Sequence, residues 1–340
     1  MLENVKRLFT PTRLGVLVVL LLGVALYAYI APSDEYIYLP DQARPLAPLV
    51  AVPGERRSTD GGGIYFVTVD VRKATKLEEL FPGLQDGATL VPRDRVRPPC
   101  VSEEEGRRGA LSEMQRSQRI AAAVALRELG YRIPNRRTGA LVVQVLCDVP
   151  ATGRLRSGDV LVAADGRPVR SPDDLRRLIG LHKPGESVRL RVRRGTRTHE
   201  IVVRTVGDPN RPGRTIVGII AGQAVRISLP VSVRIDLGRV GGPSAGLAFG
   251  LDLLEELGRD VDRGYRVAAT GELALDGTVL PVGGLKQKTI GARRADVDVF
   301  IVPAGDNAAE ARRYAEDLRI VPVRSFQQAL RRLATLPARG

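Results

Sequence analysis

Arg239-Val240-Gly241-Gly242-Pro243-Ser244-Ala245-Gly246, followed by the run Leu247 to Leu257, is the stretch around which the chain is organised. A glycine pair lets the backbone turn sharply and approach a neighbouring segment closely. Pro243 fixes φ just ahead of Ser244 and suits the first turn of a helix. Leu247, Leu251, Leu254 and Leu257 recur at three- and four-residue steps, which predicts a helix with one buried face. Ser244 then stands at a helix N-terminus, where free N–H groups and the positive dipole end favour an anion. Two readings fit this stretch alone: Ser244 as a helix cap, or Ser244 as a nucleophile whose attack creates an oxyanion.

A second stretch separates them. Thr270-Gly271-Glu272 is followed by Val279-Leu280-Pro281-Val282-Gly283-Gly284-Leu285-Lys286-Gln287-Lys288. A helix opening after Gly284 puts Leu285, Lys288, Ala292 and Ala295 on one stripe, while Lys286 shares its side with Arg293 and reads as solvated. A lysine among apolar neighbours loses proton affinity, which fits it for general-base work. No histidine lies near either stretch, so a serine–lysine pair is the economical arrangement.

Together the G-P-S-A-G around Ser244, T-G-E at Thr270 to Glu272 and L-P-V-G-G-L-K-Q-K ending at Lys288 resemble the proteolytic domain of the Lon family of serine–lysine peptidases. The resemblance implies an α/β (α+β) fold, Ser244 as nucleophile and Lys288 as its base. It places Thr270 beside the lysine and Glu272 at a position of uncertain role. Backbone N–H groups of the turn at Gly241, Gly242 and Ala245 are then expected around the oxyanion. No cofactor and no metal is implied. The pattern G-x-x-x-x-G-K-[ST] occurs nowhere in the sequence, so cleavage is expected to run without ATP, on flexible or already extended polypeptides.

The net charge of +14 comes mainly from arginines spread along the chain. Without an aromatic-interleaved basic platform or zinc-ligand spacing, it does not point to nucleic acid; an anionic membrane or a solvated surface accounts for it. Cys100 and Cys147, far apart and outside any C-x-x-C pattern, exclude a cysteine-built metal site and allow at most one intramolecular disulfide. Either a bridge or two small buried side chains is compatible with the sequence.

Leu14 to Ala31 is an uncharged apolar run, preceded by Lys6, Arg7 and Arg13 and followed by Asp34 and Glu35. It reads as a retained single-pass transmembrane helix over 14–31, a cleaved signal peptide being the alternative, with residues 1–13 cytoplasmic, a tether at 32–57 and the catalytic domain extracytoplasmic. Ile64 to Val71 reads as a strand, Lys73 to Arg108 as irregular, and Leu111 to Leu129 as a helix. The strand and the M-x-x-S-x-x-x-A phrase from Met114 through Ser117 to Ala121 also resemble the opening of the Lon-type domain, which divides it into a first part at 58–133 and a second at 207–337.

Between the parts, residues 134–206 carry L-x-x-G-D-V-L from Leu155, an Asp165-Gly166 hairpin, a capped helix at Ser171-Pro172-Asp173-Asp174, and a closing hairpin around Arg194-Gly195-Thr196. These phrases resemble a PDZ domain of the bacterial protease-associated type, a β-rich insert that binds peptide ends by strand addition. By that resemblance the groove lies between the strand carrying Ala140, Leu141 and Val142 and the helix at Asp173 to Ile179. The expected function is a membrane-anchored serine endopeptidase acting on exported or membrane polypeptides. The alternative is a membrane-tethered PDZ scaffold with an inactive peptidase fold. Nothing in the sequence sets the oligomeric state.

Overall fold

A 20-residue helix, α1 (Pro11–Ile30), opens the computed structural model, which describes residues 11–53, 61–238 and 240–337. The flanking Lys6 and Arg7, the side chain of Arg13, the end of the expected tether and Arg239 lie outside the described residues. From Leu14 to Ile30 the large apolar side chains of α1 are exposed all around the helix. Among the described residues no helix is long and apolar enough to cross a membrane.

Residues 32–53 are not a tether. β1 (Pro32–Pro40) is the central strand of an antiparallel three-stranded sheet, and Ile37 and Leu46 are fully buried. Proline content misled here, because the prolines stand at strand ends and turns and leave the pairing intact. The strand expected over Ile64 to Val71 is two strands: β2 (Gly63–Phe66) and β3 (Val69–Thr75). The break falls at Val67 and Thr68, where Thr68 Oγ1 donates to Asp41 Oδ2 at 2.5 Å, and the chain passes from one sheet to another. β3 pairs with β1 from Val69 opposite Pro40 to Thr75 opposite Pro32, and is followed by α2 (Lys76–Leu80) and β4 (Thr89–Val91), which completes that sheet.

The first long helix, α3 (Glu103–Glu128), starts at Glu103 rather than Leu111. Its start is fixed by a capping box in which Ser102 and Glu105 satisfy each other's backbone N–H groups. Its buried face carries Met114, Ser117 and Ala121 to Leu126, and the small alanines let α3 pack against the helix Gly246–Glu256.

The insert forms its own core around Val142, Leu161, Leu175 and Leu190. Its strands are β5 (Asn135–Val145), β6 (Val160–Ala164), β7 (Ser187–Arg194) and β8 (Arg197–Arg204), joined by β9 (Ile219–Ile227) from beyond the expected boundary at 206, and they pair in the order β8-β7-β6-β5-β9. α4 (Pro172–Ile179) begins as expected: Ser171 caps it by accepting from the Asp174 N–H, with Pro172 at its first position. Asp165 and Gly166 both have positive φ, as the hairpin turn requires. Cys100 and Cys147 form a disulfide that ties the end of β5 to the segment leading into α3.

The second half holds α5 (Gly246–Glu256), β10 (Arg266–Ala269), the hairpin β11 (Glu272–Leu273) and β12 (Val279–Leu280), α6 (Leu285–Arg294), β13 (Val299–Pro303), α7 (Asp306–Arg313), β14 (Arg319–Val323) and α8 (Phe326–Ala334). β2, β10, β13 and β14 are adjacent and parallel, so the first peptidase part supplies a strand to the sheet of the second. α5 is enclosed: every residue from Gly246 to Leu254 is buried, where the leucine spacing predicted only one buried face. At the start of α8, Ser325 Oγ accepts from the Gln328 N–H, while Gln328 Oε1 accepts from the Arg324 N–H.

Candidate active site

Ser244 lies in the turn before α5. The helix N-cap is Ala245, with no side-chain cap, so Ser244 does not serve as one. The turn is held from three directions. The Gly242 N–H donates to the Ala110 carbonyl of α3 at 2.8 Å, and Ser117 Oγ donates to the Pro243 carbonyl at 2.9 Å. The Ser244 carbonyl accepts from the Gly271 N–H at 2.8 Å and from Thr270 Oγ1 at 3.1 Å. Gly242 sits at φ +88°, and a Cβ on Gly241 would come within 2.7 Å of the Ala110 Cβ. Both glycines are therefore required by conformation or close approach.

The residues of the stripe foreseen on α6, Leu285, Lys288 and Ala292, are buried, but so are Gln287, Thr289, Ile290 and Gly291, so burial extends well beyond one stripe. Lys288 is only 4% exposed, and burial pulls its pKa down to about 8. Its Nζ donates to Thr270 Oγ1 at 3.3 Å. The Thr270 hydroxyl proton is committed to the Ser244 carbonyl, so this oxygen can only accept from the lysine. When Lys288 is neutral, its lone pair is therefore not taken up by Thr270.

Ser244 and Lys288 line one open cavity of about 1200 Å³, together with Gly241, Gly242 and Ala245. Tyr38 to Asp41, on and after β1 in the stretch expected as a tether, and Val67 to Val71, around β3 in the first peptidase part, also line it. No hydrogen bond joins Ser244 Oγ to Lys288 Nζ. Such bonds commonly close only around bound substrate. β3 is an edge strand of its sheet, with one side unpaired, and its residues Val69 to Val71 line the cavity.

Other expectations are placed differently. Glu272 does not line the cavity; its Oε1 pairs with Arg116 Nη2 at 3.4 Å, and its backbone pairs in the β11–β12 hairpin. The Gly242 N–H already has a partner, so it cannot also serve an oxyanion. No hydrogen bond is found among the described residues for the N–H groups of Ser244 and Ala245. Lys286 is not simply solvated: Nζ donates to the Ala88 carbonyl at 2.9 Å, clamping α6 to the β4 segment. Ala140, Leu141 and Val142 lie on β5, which is paired on both edges, with β6 and β9. A strand with no free edge cannot take a peptide by addition. The groove beside α4 is instead lined by Leu175, Ile179, Val217, Gly218, Ile219 and Ala221, so its strand is β9.

The residues the sequence reading missed are the cavity wall from β1 and β3 and the contact of Ser117. Only the M-x-x-S phrase hinted at Ser117. The wall residues carry no motif, and pairing alone brings them there.

Residues 231–335 match the Lon protease (S16) C-terminal proteolytic domain, and residues 128–205 match a PDZ domain. Lon protease of Chloroflexus aggregans is 42% identical over 93 residues, covering 26% of this chain and 11% of that protein. Lon protease 1 of Myxococcus xanthus is 39% identical over 99 residues, covering 28% and 12%. Lon protease 1 of Bacillus subtilis is 44% identical over 79 residues, covering 23% and 10%. The chain thus spans only a small share of the curated relatives it matches. A solved PDZ domain of an SdrC-like protein from Listeria monocytogenes is 26% identical, with 25% of this chain and 87% of that one covered at a TM-score of 0.23. The chain carries a Lon-type (S16) C-terminal proteolytic domain and a PDZ domain, and the match to the former supports a serine peptidase.

Proposed function

We propose that this protein is a membrane-anchored endopeptidase that hydrolyses extracytoplasmic polypeptides without ATP through a Ser244–Lys288 dyad. The observation that carries the reading is Lys288: an amine 4% exposed, with its pKa drawn down to about 8, sharing a cavity with a serine in a glycine-built turn. In this reading the Ser244 Oγ–H gives its proton to neutral Lys288 as the oxygen attacks the scissile carbonyl. The Ser244 and Ala245 N–H groups hold the oxyanion. Lys288 then returns the proton to the departing amine, leaving an acyl ester on Ser244. Water, deprotonated by the same lysine, cleaves that ester and restores the hydroxyl. Thr270 orients the amine.

The exposed apolar surface of α1 supports an anchor, since an all-round apolar helix is stable only when covered. The absence of a phosphate-binding loop motif from the sequence supports independence from ATP. The groove between α4 and β9 supports capture of peptide ends by the PDZ domain, because β9 is an edge strand. Cleavage of an unfolded test protein by the full chain, compared with Ser244→Ala, tests the reading: equal cleavage by both proteins would refute it.

A further inference from the structure

Beside the last turns of α1 the structure holds a second exposed apolar feature. Leu80, Phe81 and Leu84 are 68%, 59% and 61% exposed, within one short loop that also contains Pro82 and Gly83. Topology sets the loop's position. β3 runs antiparallel to β1, so it returns to the point where α1 ends, with Thr75 opposite Pro32. α2 then continues past that point and packs against α1, the Lys76 N–H donating to the Ala31 carbonyl at 2.9 Å. Leu80 and Phe81 close α2, the helix that packs against α1, whose Tyr27, Tyr29 and Ile30 are themselves exposed.

The loop is held firmly. Glu78 is buried, pairs with Arg72, and accepts from Gln85 Nε2 at 2.6 Å and from the Thr75 N–H at 2.9 Å. The Phe81 and Leu84 N–H groups bond back to Leu77 and Phe81. Glu79, on the domain side, is taken up by Ser33 and Lys76. Polar groups are thus paired at the base of the loop while three large apolar side chains are presented to the outside. Such a rigid apolar cluster calls for a covering phase.

We propose that the Leu80–Leu84 loop seats in the headgroup–acyl boundary of the bilayer that α1 enters, forming with Tyr27, Tyr29 and Ile30 one apolar collar. It fixes the rotation and height of the peptidase domain over the membrane instead of leaving it on a flexible stalk. This rests on the reading of α1 as an anchor, and the occupant is lipid because the loop follows directly on α2, which packs against that helix.

The chain contains no tryptophan, so a single introduced one reports its own surroundings. Full-length Phe81→Trp, Leu20→Trp and Tyr131→Trp proteins are reconstituted into phosphatidylcholine–phosphatidylglycerol vesicles. The acyl chains are brominated either near the headgroup or near the chain end. The expected result is loss of Phe81→Trp emission with the shallow bromines, loss of Leu20→Trp emission with the deep ones, and unchanged Tyr131→Trp emission in both. If Leu20→Trp is quenched and Phe81→Trp is not, the anchor stands and the collar is wrong. If neither is quenched, the anchor reading fails and takes the collar with it. A blue-shifted Phe81→Trp emission without quenching means that a protein surface, such as a second copy, covers the loop, and this also overturns the proposal.

Discussion

The catalytic cavity and the PDZ groove both offer an extended chain somewhere to lie, yet they are specified in opposite ways. In the cavity the decisive groups are side chains and turn geometry carried on two short segments, Gly241–Gly246 and Gly283–Lys288. Their residue types already state their chemistry: a lysine on the buried stripe of α6, and a serine after a glycine pair. In the groove the decisive property is which strand edge stays unpaired. β5 has the expected composition, but β6 and β9 occupy both its sides, and β9 becomes the edge. Nothing within Ala140 to Val142 reveals that. Chemistry local to a segment is legible from the segment, and hydrogen-bonding capacity is settled by partners far away in the chain.

The comparison breaks most readily at the dyad. Ser244→Ala and Lys288→Ala should each lower kcat/KM by on the order of 10⁴-fold or more, and the double variant should fall no further, since the two act as a unit. Lys286→Ala, which loses the bonds from Nζ to the Ala88 carbonyl and Thr89 Oγ1 and the contact with the Tyr314 ring, should lose less than about tenfold, the measure of peripheral contacts. Steady-state cleavage of an unstructured peptide distinguishes these outcomes. An essential Lys286 beside a dispensable Lys288 would invert the assignment.

A smaller effect is expected where the two regions are joined. The Cys100–Cys147 bridge closes a loop with a sequence separation of 47 residues, and the double Cys→Ser variant should lose roughly 4 kcal/mol in urea unfolding on the loop-entropy view. Loss of activity on folded protein without loss of stability would mean that the bridge positions the domains and does little to stabilise them.

The smallest effect sharpens the groove itself. Ala221→Arg, at the groove wall on β9, should weaken binding of a carboxyl-terminal peptide by about tenfold, equivalent to ~1.4 kcal/mol. Cleavage of a short unstructured peptide should be unchanged. Leu141→Thr on the doubly paired β5 should leave peptide binding intact. The reverse pattern in calorimetric titration would return the groove to β5.

Much of the fold was legible, for reasons that differ by element. The start of α4, the Asp165-Gly166 turn and the stripe on α6 follow from caps, positive φ and helical period, which are local. α3 was read too short because its first turns are charged; the signal lay in Ser102 and Glu105, which start it. The supposed tether was misread because proline content outweighed Ile37 and Leu46, whose burial depends on strands that follow much later. Ser244 and Lys288 were legible, whereas Glu272 was drawn in by its neighbour Thr270 although it faces Arg116. The Gly242 N–H was misassigned because its partner, Ala110, comes from the other peptidase part.

The most direct test of the central claim is the pH dependence of kcat/KM for a short peptide without titratable groups. Lys288 acts only when neutral, and burial lowers its pKa from 10.5 to about 8. Activity should therefore be low on the acid side, rise with loss of one proton through about pH 8, and level off above it. A rise centred near the ordinary lysine value of 10.5, or a flat profile across the neutral range, would contradict a buried Lys288 as the base.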